Sequence, residues 1–381
     1  VTPNDLIAIY ESQDFDYWLN RMLDEVSDKF NKREGSIIYD AIAPAATMLA
    51  EGSLDRAQVV KQVWIPTSTD EFLDLHASDK GTARQAATFA QVTAKWTDSD
   101  GKPINNVEVG DRFAQVGDAP IFYTVVKVEP DGTGLLVSES DGVGANSYIG
   151  QILPVTPNDS LSWAEVTEVS VPARATETDE DLRSRLLSGT DYIAYGGNVA
   201  DYIDMMAKIT TIGAGQVYPT WQGGGTVKLV ILDNDLKPAS SELIEQVQET
   251  IDPAPQGEGY GLAPIDHVVT VVAPEALKVD ITSTVEVATD TTLGAVTEKI
   301  KAAIADYFKA LSEKWDTVDA KTGRGYSMTV YRSQLLAEMM KVEGVTNATL
   351  PVLNGAEDDL ILEFTDETSQ LPVIGEVVLN A

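Results

Sequence analysis

The sequence predicts a multidomain α+β fold: an N-terminal helical bundle segment, an antiparallel β domain, then two α/β modules. Three observations predict it. Apolar residues recur at helical spacing over residues 15–30. From about Thr88 to Pro172 short β-rich runs are cut by Gly, Asp and Pro. After Ala173 helical and strand patterns alternate. The expected domains are 1–86, 87–173, 174–274 and 275–381, where a length of 381 residues by itself suggests two or three.

The first segment carries Phe15, Trp18, Leu19, Met22, Leu23, Val26 and Phe30 at steps of three, four and seven. Asp16, Asn20, Asp24, Glu25 and Asp28 take the opposite face. "GSIIYDAIAPAATMLAEGSLDRAQVVKQVW" is helical in composition, but Pro44 demands a kink or a fresh helix start. Ser68 and Glu71 form a capping box ahead of Phe72 and Leu75, and Gly81 stops that helix. With long helices and no compact partner in sequence, the aromatic stripe is either an ordinary core or one side of a helical bundle with other chains. We favour the bundle.

In the second segment "TFAQVTAKW", "RFAQV", "IFYTVVKVE", "LLVSES" and "WAEVTEVSV" read as strands. The loop from Gly142 to Gly150 is too small and polar to be core. Beyond it, Asn198 caps a helix bearing Val199, Tyr202, Ile203 and Met206. "GQVYP" and "TVKLVILD" are strands, and "SSELIEQVQETI" is a helix stopped by "DPAP". Strands follow at "HVVTVVAP" and "LKVDITSTVEVA", then a regular helix from Thr292 to about Leu311 and another from near Tyr331 to before Gly344. "NATLPV", "DLILEF" and "VIGEVVLN" close the chain. Two stretches, "YIDMMAKITTIGAGQVYPTWQGGGTVKLVILD" and "LLAEMMKVEGVTNATLPVLNGAEDDLILEF", share the order helix, glycine, strand, loop, strand. Duplication and shared packing grammar both account for that.

Composition excludes whole classes. Cysteine is absent, which removes disulfide scaffolds, zinc ribbons and thiol nucleophiles. Two histidines, His76 and His267, leave few metal-ligand sets and little general-base chemistry. The net charge of −33, from 60 acids and 27 bases, has no basic run, so neither nucleic acid nor anionic lipid is an expected partner. No apolar stretch is long enough to insert in a membrane, and "VTPNDLIAIYESQDFDYW" lacks the basic-then-apolar order of a signal peptide.

Candidate chemistry is weighed motif by motif. "ATETDEDLRSRLL" packs Glu177, Asp179, Glu180 and Asp181 together. Thr178 suits an N-cap with Asp179 and Asp181 in the first turn, and Asp179–Arg183 and Asp181–Arg185 are spaced for i,i+4 pairs. Adjacent helical carboxylates point about 100° apart and cannot converge on one ion. The motif is therefore expected to be a helix start, a stiff junction between the β domain and the α/β half. "TDSDGKPI" looks like a calcium loop, but Pro103 falls where the turn glycine belongs and Val109 where the bidentate glutamate belongs. A hairpin with Asp100-Gly101 at its tip is expected instead. The glycines of "WQGGGTVKL" run into a strand rather than a helix, so they do not form a phosphate cradle, and "GRG" at 323–325 fails likewise. No Gly-x-Ser-x-Gly or His-Glu-x-x-His occurs. No catalytic residue, metal site or cofactor is expected.

Taken in order, the segments resemble the baseplate J-like family, wedge proteins of contractile phage tails and tail-derived bacteriocins. The resemblance runs through "REGSIIYDAIAPAATMLAEG", "DEFLDLHASDKGTARQAATFA", "VEVGDRF", "ATETDEDLRSRLL", "GGNVADYIDMMAKITTIGAGQVYP", "GGGTVKLVILD", "SELIEQVQETIDPAPQGEGY", "YRSQLLAEMMKVEGVTNATL" and "QLPVIGEVVLN". It covers nearly all of the chain after about residue 30, and shared order carries it rather than any one piece. Where the family often has Ile-Pro-x-Gly-Thr, this chain reads Val107-Glu108-Val109-Gly110-Asp111. The resemblance implies a non-enzymatic structural protein made in a bacterial cytoplasm and built into the baseplate of a phage or phage-tail-like particle. It implies that two copies join one copy of a second wedge protein through a three-chain N-terminal bundle. C-terminal domains would link six wedges in a ring around the hub and spike, with the sheath initiator a further partner, and the assembly would transmit the contraction trigger. The alternatives from other classes are a stand-alone cell-surface or glycan-binding module and a carboxylate-based hydrolase.

Overall fold

Apolar spacing of 3.6 gives way to 2 and then to alternation along the chain, and the elements follow it. The computed structural model describes residues 2–104, 106–188, 196–289, 291–319, 321 and 323–380. They form a multidomain α+β protein, divided into two compact units: Val1–Ala86 with Thr176–Tyr192, and Ala87–Ala175 with Ile193–Ala381.

The first unit is helical. Thr2 and Asp5 form a reciprocal capping box that starts α1 (Pro3–Glu11), with Pro3 in the first turn, where its missing N–H costs nothing. The Asp14 carboxylate accepts from Tyr17 N at 2.8 Å and starts α2 (Phe15–Asp24). Both pack on α3 (Ile37–Val63), 27 residues and about 40 Å long. The side of α3 they cover is small: Ala46, Ser53 and Ala57 are buried, which lets the backbones approach. Trp18 Nε1 donates to Ser53 Oγ at 3.0 Å, giving the indole the partner it needs there. Of the two outcomes expected at Pro44, a kink or a fresh helix start, the fresh start does not occur: α3 runs through it. Pro44 sits on the exposed side of the helix, and packing along α1 and α2 outweighs one lost hydrogen bond. The stripe over 15–30 is not one helix: α2 ends at Asp24, and Val26 and Phe30 lie in the turns that follow.

In the second unit six strands close a barrel in the order β1-β4-β3-β2-β5-β6: β1 (Phe89–Thr97), β2 (Arg112–Gln115), β3 (Phe122–Val128), β4 (Thr133–Asp141), β5 (Gly150–Pro154) and β6 (Trp163–Val171). The sequence pattern does not announce β5. Its five residues start on a glycine and end on a proline, yet it joins β2 to β6 and completes the closure. Trp96 stacks on Phe113 inside, with ring centroids 5.9 Å apart.

The central module pairs β7 (Ala214–Pro219) antiparallel with β8 (Thr226–Leu232), and β8 parallel with β9 (Val268–Val272). Tyr202 and Met206 of α6 (Val199–Lys208) and Leu243, Val247 and Ile251 of α7 (Ser241–Ile251) fill its core. In the C-terminal module β10 (Glu275–Val287) is central. It pairs parallel with β15 (Gln370–Asn380) and antiparallel with β12 (Val345–Ala348) and β13 (Val352–Leu353). α8 (Leu293–Ser312) and α9 (Arg332–Met340) pack on it. The two repeat-like stretches share element order but not pairing, since β7 pairs with β8 whereas β12 and β13 both pair with β10. A second core joins these modules around Tyr218, Leu232, Trp315 and Leu371. Its polar centre is the fully buried Gln216 amide. Gln216 donates to Trp315 O at 2.7 Å and accepts from Tyr218 Oη at 2.7 Å and Ser369 Oγ at 2.8 Å.

Candidate assembly surface

The long helix α3 has two unlike faces. Opposite its small buried side, Ile37, Ala41, Pro44 and Met48 lie one above another at helical steps, all exposed, and exposed Val59 follows eleven residues on, past exposed Asp55. Ile37 is 86% exposed, Met48 73% and Val59 64%. Residues 41–50, "AIAPAATMLA", carry no charge in a chain of net −33. A row of exposed apolar side chains with 4-3-4 spacing is the pattern a helical bundle buries. Nearby, Val59 and Val63 face Phe72 of α4 (Asp70–Asp79) across an open apolar trough of about 260 Å³.

The seven bundle residues picked from the sequence are placed differently. Leu19 is buried within the chain, and Phe15, Trp18, Met22, Leu23 and Val26 are partly buried. Only Phe30, 59% exposed, stands free of the fold. The α3 row is hidden in the sequence because a proline in its middle reads as a helix break, although its 4-3-4 spacing is there to be counted.

The expected junction motif forms a seam between α4 and α5 (Asp179–Ser188). Leu182 and Leu186 pack on Leu73 and Ala77. Phe72 and Leu75 point outward, 53% and 62% exposed. Thr178 Oγ1 accepts from Asp181 N at 3.2 Å and donates to Asp181 Oδ2 at 2.6 Å, and Leu182 N bonds Thr178 O. The arginines do not take the i,i+4 partners expected of them. Arg183 reaches Glu180, Ile65 O and Ser68 O. Arg185 forks onto Glu177, with Nε to Oε1 and Nη2 to Oε2 both 2.8 Å, and also donates to Thr82 Oγ1 and Ala83 O. Carbonyls left over at the chain turns around α4 offer these planar donors several acceptors at once, which one surface carboxylate cannot.

Asp179 is bound from the other side: Arg84 Nη2 donates to its Oδ1 at 2.7 Å and Asp70 N to its Oδ2 at 2.8 Å. One carboxylate therefore sits at the positive ends of both α4 and α5. The Asp70 N–H, then Arg84, hold it below the usual carboxylate range. This replaces the expected Ser68–Glu71 capping box. Thr69 precedes α4 without a side-chain cap, and Gln62 Oε1 accepts from Ser68 Oγ and Thr69 N. Burial pushes Glu177 up, but Arg185 and the Gln85 N–H at 2.9 Å outweigh it and keep its carboxyl low. From Thr176 onward the motif belongs to the first unit.

Asp98 Oδ1 accepts from Asp100 N and Lys102 N, which makes "TDSDGKPI" a turn. His76 Nε2 bonds Gln62 O at 2.8 Å, and His267 Nδ1 bonds Tyr202 Oη at 2.7 Å. Among the described residues no three His, Cys, Asp or Glu side chains gather as metal ligands, and no helix is long and apolar enough to cross a membrane.

Residues 194–273 match the Baseplate J-like central domain and residues 279–380 the Baseplate J-like protein C-terminal domain. The phage-like element PBSX protein XkdT of Bacillus subtilis (strain 168) is 30% identical over 371 residues, 97% of this chain and 98% of that protein. Baseplate protein gp47 of Escherichia phage Mu is 28% identical over 256 residues, 63% of this chain and 69% of gp47. A chain of the anti-feeding prophage baseplate, known from cryo-electron microscopy, aligns over 97% of both chains at 12% identity, with a TM-score of 0.35. The chain belongs to the baseplate J-like family and has a structural role in the baseplate of a phage or tail-like particle.

Proposed function

We propose that the chain is a wedge subunit whose first unit bundles with a second copy of itself and one copy of a second wedge protein. The C-terminal modules then join neighbouring wedges in a ring around the hub and spike, beside the sheath initiator, and domain movements pass on the contraction trigger. The chain acts by binding, without turnover. The observation that carries this is the exposed α3 row from Ile37 through Ala41 and Pro44 to Met48, which holds no charge until Glu51 and Asp55 further along, because a monomer in water gains nothing by displaying Ile37 and Met48 on one line. Co-expression with the products of the flanking genes, followed by native mass spectrometry and electron microscopy, tests it. Met48→Asp with Val59→Asp should abolish the heteromer and leave the monomer's circular dichroism unchanged. Leu19→Asp is the wrong probe, since Leu19 supports the fold of the unit itself. A heteromer formed equally well by the doubly substituted chain would remove the bundle assignment.

A further inference from the structure

Between α7 and β9 the chain makes a fifteen-residue excursion, residues 253–267, "PAPQGEGYGLAPIDH". It exposes three large apolar side chains within six residues: Tyr260 at 72%, Leu262 at 47% and Ile265 at 72%. A loop with no task has no reason to hold such residues in water. This loop is also held firmly. The buried Asp252 carboxylate accepts from Gly257 N and Val269 N, both at 2.9 Å, and so closes the base of the loop. Ala263 N donates to Ile251 O and Asp266 N to Gly257 O, both at 2.8 Å, and Gln256 Nε2 donates to Val269 O. Gly261 lies so near α7 that a Cβ there would come 2.4 Å from Ile251 O. The apolar tip is therefore presented in a set conformation, so binding through it would lose little entropy.

Charge indicates what it binds. Residues 238–277 contain seven carboxylates and no Lys or Arg. Glu258 and Asp266, beside Tyr260 and Ile265, are both exposed. A second copy of so acidic a chain is a poor match for this surface. We propose that the 253–267 loop is a docking element for a different protein chain, inserting Tyr260 and Ile265 into an apolar groove edged by Lys or Arg. Aromatic and aliphatic anchors supply the affinity, and the acidic flank supplies orientation and salt dependence.

The inference rests on the reading of the chain as an assembly subunit. Its test uses the full chain co-expressed with the products of the flanking genes. Tyr260→Ser with Ile265→Ser, which removes mostly exposed atoms, should weaken one heterotypic contact by about tenfold or more and leave the thermal transition nearly unmoved. Glu258→Gln with Asp266→Asn should weaken the same contact at low salt and flatten its salt dependence. A photoreactive phenylalanine analogue at 260 should cross-link to a different polypeptide at a segment rich in Lys or Arg. Cross-linking to a second copy of this chain, or an unchanged complex from the Tyr260/Ile265 variant, would overturn the proposal while leaving the wedge reading intact. A wild-type chain that forms no complex would overturn both.

Discussion

Replacing Arg185 by alanine should destabilise the first unit by about 2–4 kcal/mol. Its guanidinium makes a two-point contact with Glu177, both bonds 2.8 Å, while donating to Thr82 Oγ1 at 3.0 Å and Ala83 O at 2.8 Å. The Glu177 side chain is only 8% exposed, so the substitution leaves a carboxylate with little water to turn to. Breaking a buried pair from one side costs about 3–5 kcal/mol. The loss at Arg185 is smaller because its own side chain is 30% exposed and the Gln85 N–H stays with Glu177. Urea denaturation at neutral pH gives the magnitude, and hydrogen exchange over 176–187 gives the location. The pH dependence should change as well. In the wild type the Glu177 carboxyl titrates below its ordinary range. Its contribution is therefore complete above an unfolded value of about 4.3 and lost as pH falls through the folded value. Without Arg185 the strongest influence lowering that carboxyl is gone while burial remains, so it should titrate higher than in the wild type and the variant should lose less on acidification. A loss under about 0.5 kcal/mol, the range of an exposed ion pair, would refute the buried-pair reasoning. So would an unchanged pH slope.

Thr178→Ala should cost about 0.5–1 kcal/mol, at the low end for an N-cap because Asp181 N lies 3.2 Å from the hydroxyl, with the loss seen in urea titrations of the first unit. Gly134→Ala should cost the barrel about 1–3 kcal/mol in overpacking, read by near-ultraviolet circular dichroism, since a Cβ there would lie 2.5 Å from Lys127 O and 2.6 Å from Trp96 Cη2. Burial pushes Asp233 up to about 6. The folded state then holds its proton more tightly than the unfolded chain, so stability falls as pH rises through about 4 to 6. Asp233→Asn keeps an acceptor for the Asp235 and Lys237 N–H groups and should flatten that part of the pH–stability curve.

Local grammar makes much of this fold readable. Gly81, with φ of 73°, ends α4 as expected of a glycine there, and Asn198 caps α6 through Asp201 N. Strand β5 is invisible in the sequence because barrel closure is a long-range demand that five residues between Gly150 and Pro154 do not announce. The partners of Arg84, Arg183 and Arg185 are equally hidden. Spacing along one helix names the neighbours a side chain could take, whereas the acceptors at Ile65, Ser68 and Ala83 exist only once α4 and α5 meet. Pro44 starts no new helix for a related reason, as propensity yields to packing when a helix is held along its length.

Charge then separates the two exposed apolar surfaces. At −33, copies of this chain repel wherever their acids face one another, and salt weakens that repulsion only beyond a distance of about 8–10 Å. Close approach of two copies costs least where charge is missing. Residues 41–50 are such a place, and their outward side is the Ala41–Pro44–Met48 row. The 253–267 loop has the opposite character, because its anchors sit among carboxylates and would drive a second acidic chain away. Like-charge juxtaposition costs more than an exposed salt bridge returns, so each surface discriminates by what it repels as well as by what it attracts. In the proposed assembly the neutral row serves self-association and the acidic loop a basic-edged partner. A single sequence can in this way take part in homotypic and heterotypic contacts without exchanging one for the other.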